Sequence, residues 1–319
     1  LRTFRQVLTR PGYVRRAYVD ASPGHGEALV RGKWRTVLAS GMGKGARGVF
    51  ALDVTNPSGF ASGLGALWEF TERDDPAMGH VRSPPSIAGF QVGTSGGNPV
   101  IRYFVVVSSG LNNYTVDGGD NAARGALFLL SLDKRPSDPW KAGVNYYKLV
   151  TPVSDPGIPN ALAPPALALA PDGIVRFAYA GDLQGNLWRF DFSGKPSTWQ
   201  KAVGPGSKST PLFVARDAAG LRQPITHAPR VVFAPGGGYI VIAGTGKFIE
   251  HVDADQASFV PQSFYGIHDS VQKPAVVVEG RDELARRLLS GHGPYAVTGE
   301  PLRFEGTGAR KGWYFDFPN

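Results

Sequence analysis

Four segments of the chain share one pattern, an apolar run that ends in Ser or Ala and is followed by Gly. These glycines stand between 63 and 71 residues apart along the 319-residue chain. They are Gly41, Gly110, Gly181 and Gly244. Self-similarity at a long and nearly constant period indicates a repeat architecture. The pattern therefore predicts a fold built from similar units, with insertions between them.

A second apolar run with a central aromatic residue follows each glycine. The aligned aromatic residues are Phe50, Phe128, Trp188 and Tyr265. Aromatic and β-branched residues suit the half-buried positions of pleated strands, so we predict a strand at each run. Between 7 and 21 residues separate the glycine from the aromatic residue, which predicts regular strands joined by hairpin loops of variable length. We interpret Trp68, Trp188 and Tyr265 as packing between units rather than as a ligand-binding box.

Further strand-like runs flank each pair, which gives four strands per unit. Four-stranded units in series predict an all-β fold, a β-propeller with long inter-strand insertions that lengthen the usual period of ~40–50 residues. We predict one domain over residues 1–319, a fragment of a larger protein because the chain begins with Leu1 rather than Met. The predicted blades are 18–75, 82–151, 162–216, 224–270 and a partial blade at 295–319. One stretch, 280–291, is predicted to be helical.

Composition limits the possible partners and compartments. The chain has no cysteine, which excludes disulfides and thiolate metal sites. Its formal net charge is +8, but the basic residues are scattered, whereas nucleic-acid binding rewards a concentrated patch. No run reaches the ~18 apolar residues of a membrane-spanning helix. We therefore expect neither a nucleic-acid partner nor a transmembrane segment.

Several motifs together resemble one protein family. They are "GKWRTVLASGMGKGARGVFALDVTNP" followed by "ALWEF", then "YAGDLQGNLWRFD", "QPITHAPRVVFAPGGGYIVIAGTGKFIE", "QSFYGIHDS" and "GWYFDF". In this order they resemble the C-terminal domain of type IV pilus assembly proteins of the PilY1/PilC family. The resemblance implies a modified seven-bladed propeller, of which this chain holds the later blades.

The resemblance also implies a function and a location. Family members promote pilus extension by opposing retraction, and they contribute to adhesion as pilus-tip-associated proteins. The implied partners are pilins or minor pilins, other pilus-assembly proteins and host surfaces. The implied location is outside the cytoplasm of a Gram-negative bacterium, in the periplasm, on the outer membrane surface or at the pilus tip.

The family often carries a calcium loop, D-x-D-x-D-G-x-x-D, immediately before a sequence like "AYAGD". Alignment on that motif places the four acidic positions at Ala168, Ala170, Asp172 and Arg176. Calcium takes ~6–8 oxygen ligands, and one carboxylate beside an Arg does not supply them. We predict no metal and no other cofactor here. The surviving "PDG" instead predicts a hairpin turn, since Asp and Gly favour turn geometry.

Two other acidic loops are weaker metal candidates. Asp117 and Asp120 lie in the insertion "LNNYTVDGGDNAARG", which lacks the bidentate acid of an EF-hand loop. Asp253 and Asp255 lie in "HVDADQ" with no fixed partners nearby in the sequence. The Arg-Gly-Asp tripeptide of some family members is absent, so we infer no integrin-type binding.

The sequence contains no recognisable catalytic residue set. None of the six histidines stands in an HxH or HExxH spacing. "FALDVTNPSG" with "ALWEF" is similar to the docking repeat of quinoprotein propellers, so a dehydrogenase that uses pyrroloquinoline quinone is one alternative. A propeller that serves as an envelope assembly scaffold is another. We favour a non-enzyme that binds partners through the variable hairpins at 41–50, 110–128 and 244–265.

Overall fold

Four antiparallel sheets follow one another along the chain in the computed structural model, which describes residues 17–58, 65–111, 124–152, 155, 160–199, 210–271, 277–291 and 294–318. The first sheet contains β1 (Gly24–Val30), β2 (Lys33–Gly41), β3 (Gly48–Asp53) and β4 (Ala66–Thr71). The second contains β5 (Ser86–Ser95), β6 (Asn98–Ser108), β7 (Ala126–Ser131) and β8 (Tyr146–Val150). In both sheets each strand pairs with the next one along the chain.

The third and fourth sheets begin in the same way. The third contains β9 (Ala166–Leu169), β10 (Val175–Gly181), β11 (Asn186–Asp191) and β12 (Phe213–Val214). The fourth begins with β13 (Arg230–Phe233), β14 (Tyr239–Gly244) and β15 (Ser263–Asp269). After β15 come β16 (Ala285–Arg286) and a two-stranded ribbon of β17 (Leu288–Ser290) and β18 (Ala296–Thr298). The all-β class predicted from the sequence is confirmed.

The aromatic segment near the end of the chain completes the fourth sheet. It forms β19 (Gly312–Asp316), which pairs antiparallel with β15, placing Phe315 beside Phe264 and Tyr314 beside Tyr265. The prediction that 295–319 begins a further blade is therefore wrong. Its aromatic pattern matches a strand of the repeat, but after the long insertion at 270–311 the chain returns to the sheet it had left.

The prediction of a helix at 280–291 is also wrong. This stretch contains a 3-10 turn at Arg281–Glu283, then β16 parallel to β19, then β17. Arg281 explains the difference, because its guanidinium lies 4.1 Å from the Tyr314 ring centroid and pairs with Asp316. These contacts bind the turn to the fourth sheet and leave the chain extended beside it. Other 3-10 turns are Pro196–Thr198, His251–Ala254 and Gln256–Ser258.

Three buried apolar cores lie between successive sheets, and three of the four aligned aromatic residues fill them, whereas Phe50 does not. Phe128 belongs to the core between the first and second sheets, Trp188 to the next and Tyr265 to the last. Each is at most 1% exposed, and burial of such a side chain stabilises a fold by about 1.5–3 kcal/mol. Phe50 is half-buried on the face of the first sheet turned away from the second. Trp68 packs in the first core, 5.1 Å from the Trp140 ring, so the packing interpretation is confirmed.

The first strand of each sheet lies nearest to the others. Strand β1 contacts β5, and β9 contacts β13. An axial groove of about 840 Å³ runs along these four strands, and Pro23, Pro85, Pro165 and Pro229 line it at the points where the strands begin. The sheets are therefore arranged around one axis, with their later strands towards the outside.

Candidate functional site: the hairpin face

The loops that follow the four repeated glycines lie at one end of the sheets. We call this end the hairpin face, and the described residues that form it are 42–47, 109–111, 124–125, 182–185 and 245–262. The predicted binding hairpins at 41–50, 110–128 and 244–265 all belong to it, although residues 112–123 are outside the described residues. Each of the first three sheets has four strands that alternate in direction, so its last strand ends at the same face where its first strand begins. The segments that lead to the next sheet therefore also lie at the hairpin face.

Backbone hydrogen bonds tie these loops to the connecting segments. The amide of Gly43 donates to the carbonyl of Val81 at 3.1 Å, and the amide of Ala163 donates to that of Gly181 at 2.8 Å. The amide of Gly246 donates to the carbonyl of Pro224 at 2.7 Å. The hairpins are thus held against a fixed frame that spans neighbouring sheets.

The repeated glycines make room for this contact. A Cβ atom on Gly41 would lie 2.0 Å from the Val81 carbonyl oxygen, and one on Gly110 would lie 2.3 Å from that of His80. Gly110 also has a φ of +71°, which side chains disfavour. Gly244 differs, because its Cβ would meet only the Phe264 ring, at 3.3 Å. A side chain at Gly41 or Gly110 would therefore collide with the connecting segment.

The shortest loop, 182–185, is organised by one buried carboxylate. Oδ1 of Asp182 accepts from the amides of Gln184 and Asn186, both at 2.9 Å. Oδ2 accepts from the side chains of Asn160 at 3.1 Å, Asn186 at 2.8 Å and Trp188 at 2.8 Å. Burial raises the pKa of Asp182, and these hydrogen bonds act in the opposite direction. The site has no remaining acceptor position for a ligand, so Asp182 is a structural residue.

The hairpin between β14 and β15 carries its own internal bonds. Although burial opposes the effect, amide donation from Glu250 and Ile249 and the nearby Lys247 lower the pKa of Asp253. The amides lie 2.9 and 2.8 Å from Oδ2, and the Lys247 ammonium lies 3.0 Å from Oδ1. Lys247 also pairs with Glu250. Asp255 caps the following turn by accepting from Ala257.

Large apolar side chains project from this ordered hairpin into solvent. Phe248 is 78% exposed and Phe259 is 65% exposed, and Val252 and Val260 are each at least half exposed. Exposed apolar side chains that form a patch mark interaction surfaces more often than isolated ones do. The hairpin has the composition of a protein-binding surface.

A cavity opens on the hairpin face where loops of all four sheets converge. This mouth cavity has a volume of about 350 Å³ and is lined by Lys44, His80, Arg82, Leu111, Leu183, Lys247, Ile249 and Glu250. An adjoining cavity of about 340 Å³ shares several of these residues and extends to Phe248 and His227. The lining combines apolar side chains with a few polar and charged groups, which is the usual character of a binding site.

The candidate calcium loop is a hairpin turn between β9 and β10. Oδ1 of Asp172 accepts from the amide of Ile174 at 3.0 Å, and Gly173 has a φ of +79°. Ala168 is buried in the β9 strand, whereas Arg176 is exposed on β10. The predicted turn is confirmed, and the absence of a metal there remains a prediction.

The weaker metal candidates have other roles or lie elsewhere. Asp253 and Asp255 are engaged with the hairpin's own amides, whereas Asp117 and Asp120 lie outside the described residues. In the part of the chain that the structure describes, no three His, Asp or Glu side chains converge as a metal site would require. No helix among the described residues is both long and apolar enough to cross a membrane.

Sequence reasoning located the hairpins but missed the mouth cavity. Lys44, Arg82 and Lys247 are far apart in the chain, so only the arrangement of the sheets brings them together. The exposure of Phe248 could be expected from the sequence, because this aromatic residue, between "GTGK" and "IEHVD", stands in a predicted hairpin loop rather than in a strand.

The chain is similar to known proteins along nearly its whole length. A family model described as the PilY1 beta-propeller domain matches residues 2–290. The type IV pilus biogenesis factor PilY1 of Pseudomonas aeruginosa strain PAO1 is 33% identical over 345 residues, covering 97% of this chain and 27% of that protein. A PilY1 homolog of Xylella fastidiosa strain Temecula1 is 32% identical over 332 residues, covering 97% and 20%.

A solved structure has the same fold. The crystal structure of the Pseudomonas aeruginosa PilY1 C-terminal domain superposes with a TM-score of 0.73 and 29% sequence identity, covering 99% of this chain and 65% of that one. The chain thus spans only about a fifth to a quarter of the length of the curated relatives, and it is a β-propeller by both family and structure. The ordered motifs, the four sheets around one axis and these matches lead to one conclusion: the chain belongs to the PilY1 β-propeller family.

Proposed function

We propose that this chain is the propeller of a type IV pilus biogenesis factor and that it binds other proteins at the hairpin face rather than catalysing a reaction. The observation that carries the proposal is the β14–β15 hairpin, in which internal hydrogen bonds hold Phe248 and Phe259 in solvent. A preorganised loop loses less conformational entropy on binding, so exposed aromatic residues on such a loop are effective anchors.

The proposed action is to promote pilus extension by opposing retraction. The names of the relatives support a role in pilus biogenesis. The proposed partners are pilins or minor pilins and other assembly proteins, with host surfaces as further targets of an adhesin. The proposed location is the periplasm, the outer membrane surface or the pilus tip of a Gram-negative bacterium.

The experiment shortens the β14–β15 hairpin in the chromosomal gene and scores surface pili. Replacing residues 247–260 with Asn-Gly creates a tight hairpin turn and leaves both strands in place. We expect pili to be lost in cells with an intact retraction motor and restored when the motor gene is also deleted, because extension then needs no opposition to retraction.

The control is Phe233→Ser, which removes an aromatic side chain that is 81% exposed at the opposite end of the sheets. It should leave piliation unchanged. Normal piliation in the shortened variant, with cooperative thermal unfolding retained, would refute binding at this hairpin. Loss of pili in both backgrounds would refute the opposition to retraction.

A further inference from the structure

Two cations at the mouth cavity have no partner among the described residues. Neither the Lys44 ammonium nor the Arg82 guanidinium makes a hydrogen bond or ion pair with any residue that the structure describes, and both side chains are exposed. Both line the mouth cavity, although one comes from the β2–β3 hairpin and the other from the segment joining the first and second sheets. Cations that the fold leaves unpaired at a cavity are available for an anionic ligand.

His80 adds a ring nitrogen of fixed orientation to the same cavity. Its Nδ1 lies 2.7 Å from the Gly43 carbonyl oxygen, so this nitrogen must carry the proton and donate. Reciprocal backbone bonds with Leu111, at 2.8 and 3.2 Å, also hold the residue in place. The other nitrogen, Nε2, makes no hydrogen bond to any described residue and is available to a ligand at the cavity.

The carboxylates around the cavity are already engaged. Asp20 accepts from the Lys44 amide at 2.6 Å, while Glu250 and Asp253 pair with Lys247. Glu250 and Asp253 therefore pair with Lys247 rather than with Lys44 or Arg82, and Asp20 is bonded to the backbone of Lys44 rather than to its ammonium. The lining of the mouth cavity itself carries three cationic side chains, Lys44, Arg82 and Lys247, and one carboxylate, Glu250.

The rest of the lining is apolar. Leu111, Leu183 and Ile249 line the mouth cavity, and the exposed Phe248 stands at the adjoining one. An extended phosphate polymer would be matched by a continuous cationic track rather than by two cations beside apolar walls. A ligand that combines carboxylates with apolar side chains matches both parts of this lining.

We infer that the mouth cavity binds an acidic segment of a partner protein that also carries large apolar side chains. Lys44 and Arg82 bind the carboxylates of the segment, and Arg82 is suited to a bidentate contact. Phe248 and the apolar walls bind its apolar side chains. This inference rests on the proposed function, since it specifies the chemistry of the partner that the hairpin face would recognise.

The experiment selects ligands without assuming a sequence. A phage library that displays random twelve-residue peptides is selected on the 319-residue chain and, in parallel, on the double variant Lys44→Glu/Arg82→Glu. We expect the selected peptides to be enriched in Asp and Glu next to Leu, Ile, Phe or Trp, and to be lost on the double variant. A synthetic copy of a selected peptide should bind at least tenfold more weakly when its Glu and Asp are replaced with Gln and Asn.

Matched variants test whether the position of the charge matters. Lys33→Glu/Lys195→Glu makes the same change in net charge at the opposite end of the sheets, on two other exposed lysines, and should leave peptide affinity within twofold. Phe248→Ser should weaken the peptide at least fivefold with no change in melting temperature, because its side chain is mostly exposed. Equal losses in both double variants would mean nonspecific charge attraction and would overturn the inference.

Other outcomes also decide the question. Enrichment of neutral or basic peptides, or no enrichment at all, overturns the inference. It is also overturned if acidic peptides do not bind and the chain instead binds phosphatidylglycerol vesicles in a way that requires Lys44 and Arg82. The proposed function can fail separately. If peptides bind as expected but pili are normal after shortening of the β14–β15 hairpin, the binding site stands and its role in piliation is refuted. If no peptide is selected but shortening of the β14–β15 hairpin abolishes pili, the inference about the ligand is refuted and the proposed function stands.

Discussion

At the scale of single residues, the Asp182 carboxylate stabilises a whole hairpin. Asp182→Ala leaves five buried donors without their acceptor, and buried groups left unpaired destabilise a fold by about 1–3 kcal/mol each when no water replaces the partner. We expect the free energy of unfolding to fall by at least about 3 kcal/mol. Urea denaturation monitored by tryptophan fluorescence measures it.

Asp172→Ala is the matched control. Asp172 also closes a β-hairpin, but its side chain is exposed and accepts one hydrogen bond, from Ile174. We expect a loss below about 1 kcal/mol, since water replaces that bond. Equal losses for the two variants would show that the buried donors around Asp182 find other partners.

The two aspartates also show what a sequence can predict at this scale. The turn at Asp172 was predictable, because Pro-Asp-Gly has a local conformational preference. The role of Asp182 was not, because two of its donors belong to Asn160 and Trp188, which reach it only after the second connecting segment and β11 have folded together. Local backbone geometry can be inferred from neighbouring residues in the sequence, whereas the burial and hydrogen bonding of a side chain depend on distant parts of the chain.

At the scale of elements, the β14–β15 hairpin depends on Asp253. Asp253→Ala removes the acceptor for two amides and one partner of Lys247. We expect backbone amides of 247–258 to exchange at least tenfold faster in hydrogen–deuterium exchange mass spectrometry. The melting temperature should change little, because the hairpin lies outside the inter-sheet cores.

Asp253→Asn separates the charge from the hydrogen bonds. The amide oxygen can still accept from the backbone, so this variant should show intermediate exchange. Since the pKa of Asp253 is lowered in the folded hairpin, its contribution is present above the ordinary pKa of a carboxyl and is lost as the pH falls through the folded value. Exchange rates in the hairpin that are the same in all three proteins would contradict this role.

The elements themselves were predictable where period and composition agreed. Alternation and aromatic residues located strands such as β10 and β11, and variable spacing located the hairpins. The segment 280–291 was not predictable, because "ELARRLL" suits a helix locally, whereas the pairing of β16 with β19 and the contacts of Arg281 and Arg287 with the fourth sheet hold it extended. Tertiary contacts override weak local propensity in such short segments.

At the scale of the whole molecule, the repeat indicated the series of sheets but not what they enclose. The equivalence of Phe128, Trp188 and Tyr265 follows from the repeat, because every unit must pack on its neighbour. The mouth cavity does not follow, since its lining comes from insertions that differ between units. Thus the scaffold could be predicted from the strands and aromatic residues that recur in every unit. The candidate site could not, because it is formed by loops whose sequences differ between units.

The cores between sheets also make the whole molecule sensitive to alkaline pH. Burial, with Asp75 nearby, raises the pKa of Tyr146 to about 12, and burial also raises the pKa of Tyr179 and of Tyr265. Tyr146 lies in the first core, and the other two lie in the last. Below about pH 10 these phenols are neutral in both states, so stability is fully present. Above it the unfolded chain ionises first, and stability falls as the pH rises towards the folded pKa values.

We therefore expect the free energy of unfolding to fall beyond pH 10 with a slope of up to about 1.4 kcal/mol per pH unit for each tyrosine. Urea denaturation at pH 8, 9, 10, 10.5 and 11 measures the slope. Tyr146→Phe and Tyr179→Phe should each make it shallower, because a phenyl ring cannot ionise, even though each loses a hydrogen bond to a carboxylate. Tyr295→Phe, at a half-exposed tyrosine outside the cores, should leave it unchanged. A slope that is the same in all four proteins would show that the sheets separate at high pH for reasons other than these phenols.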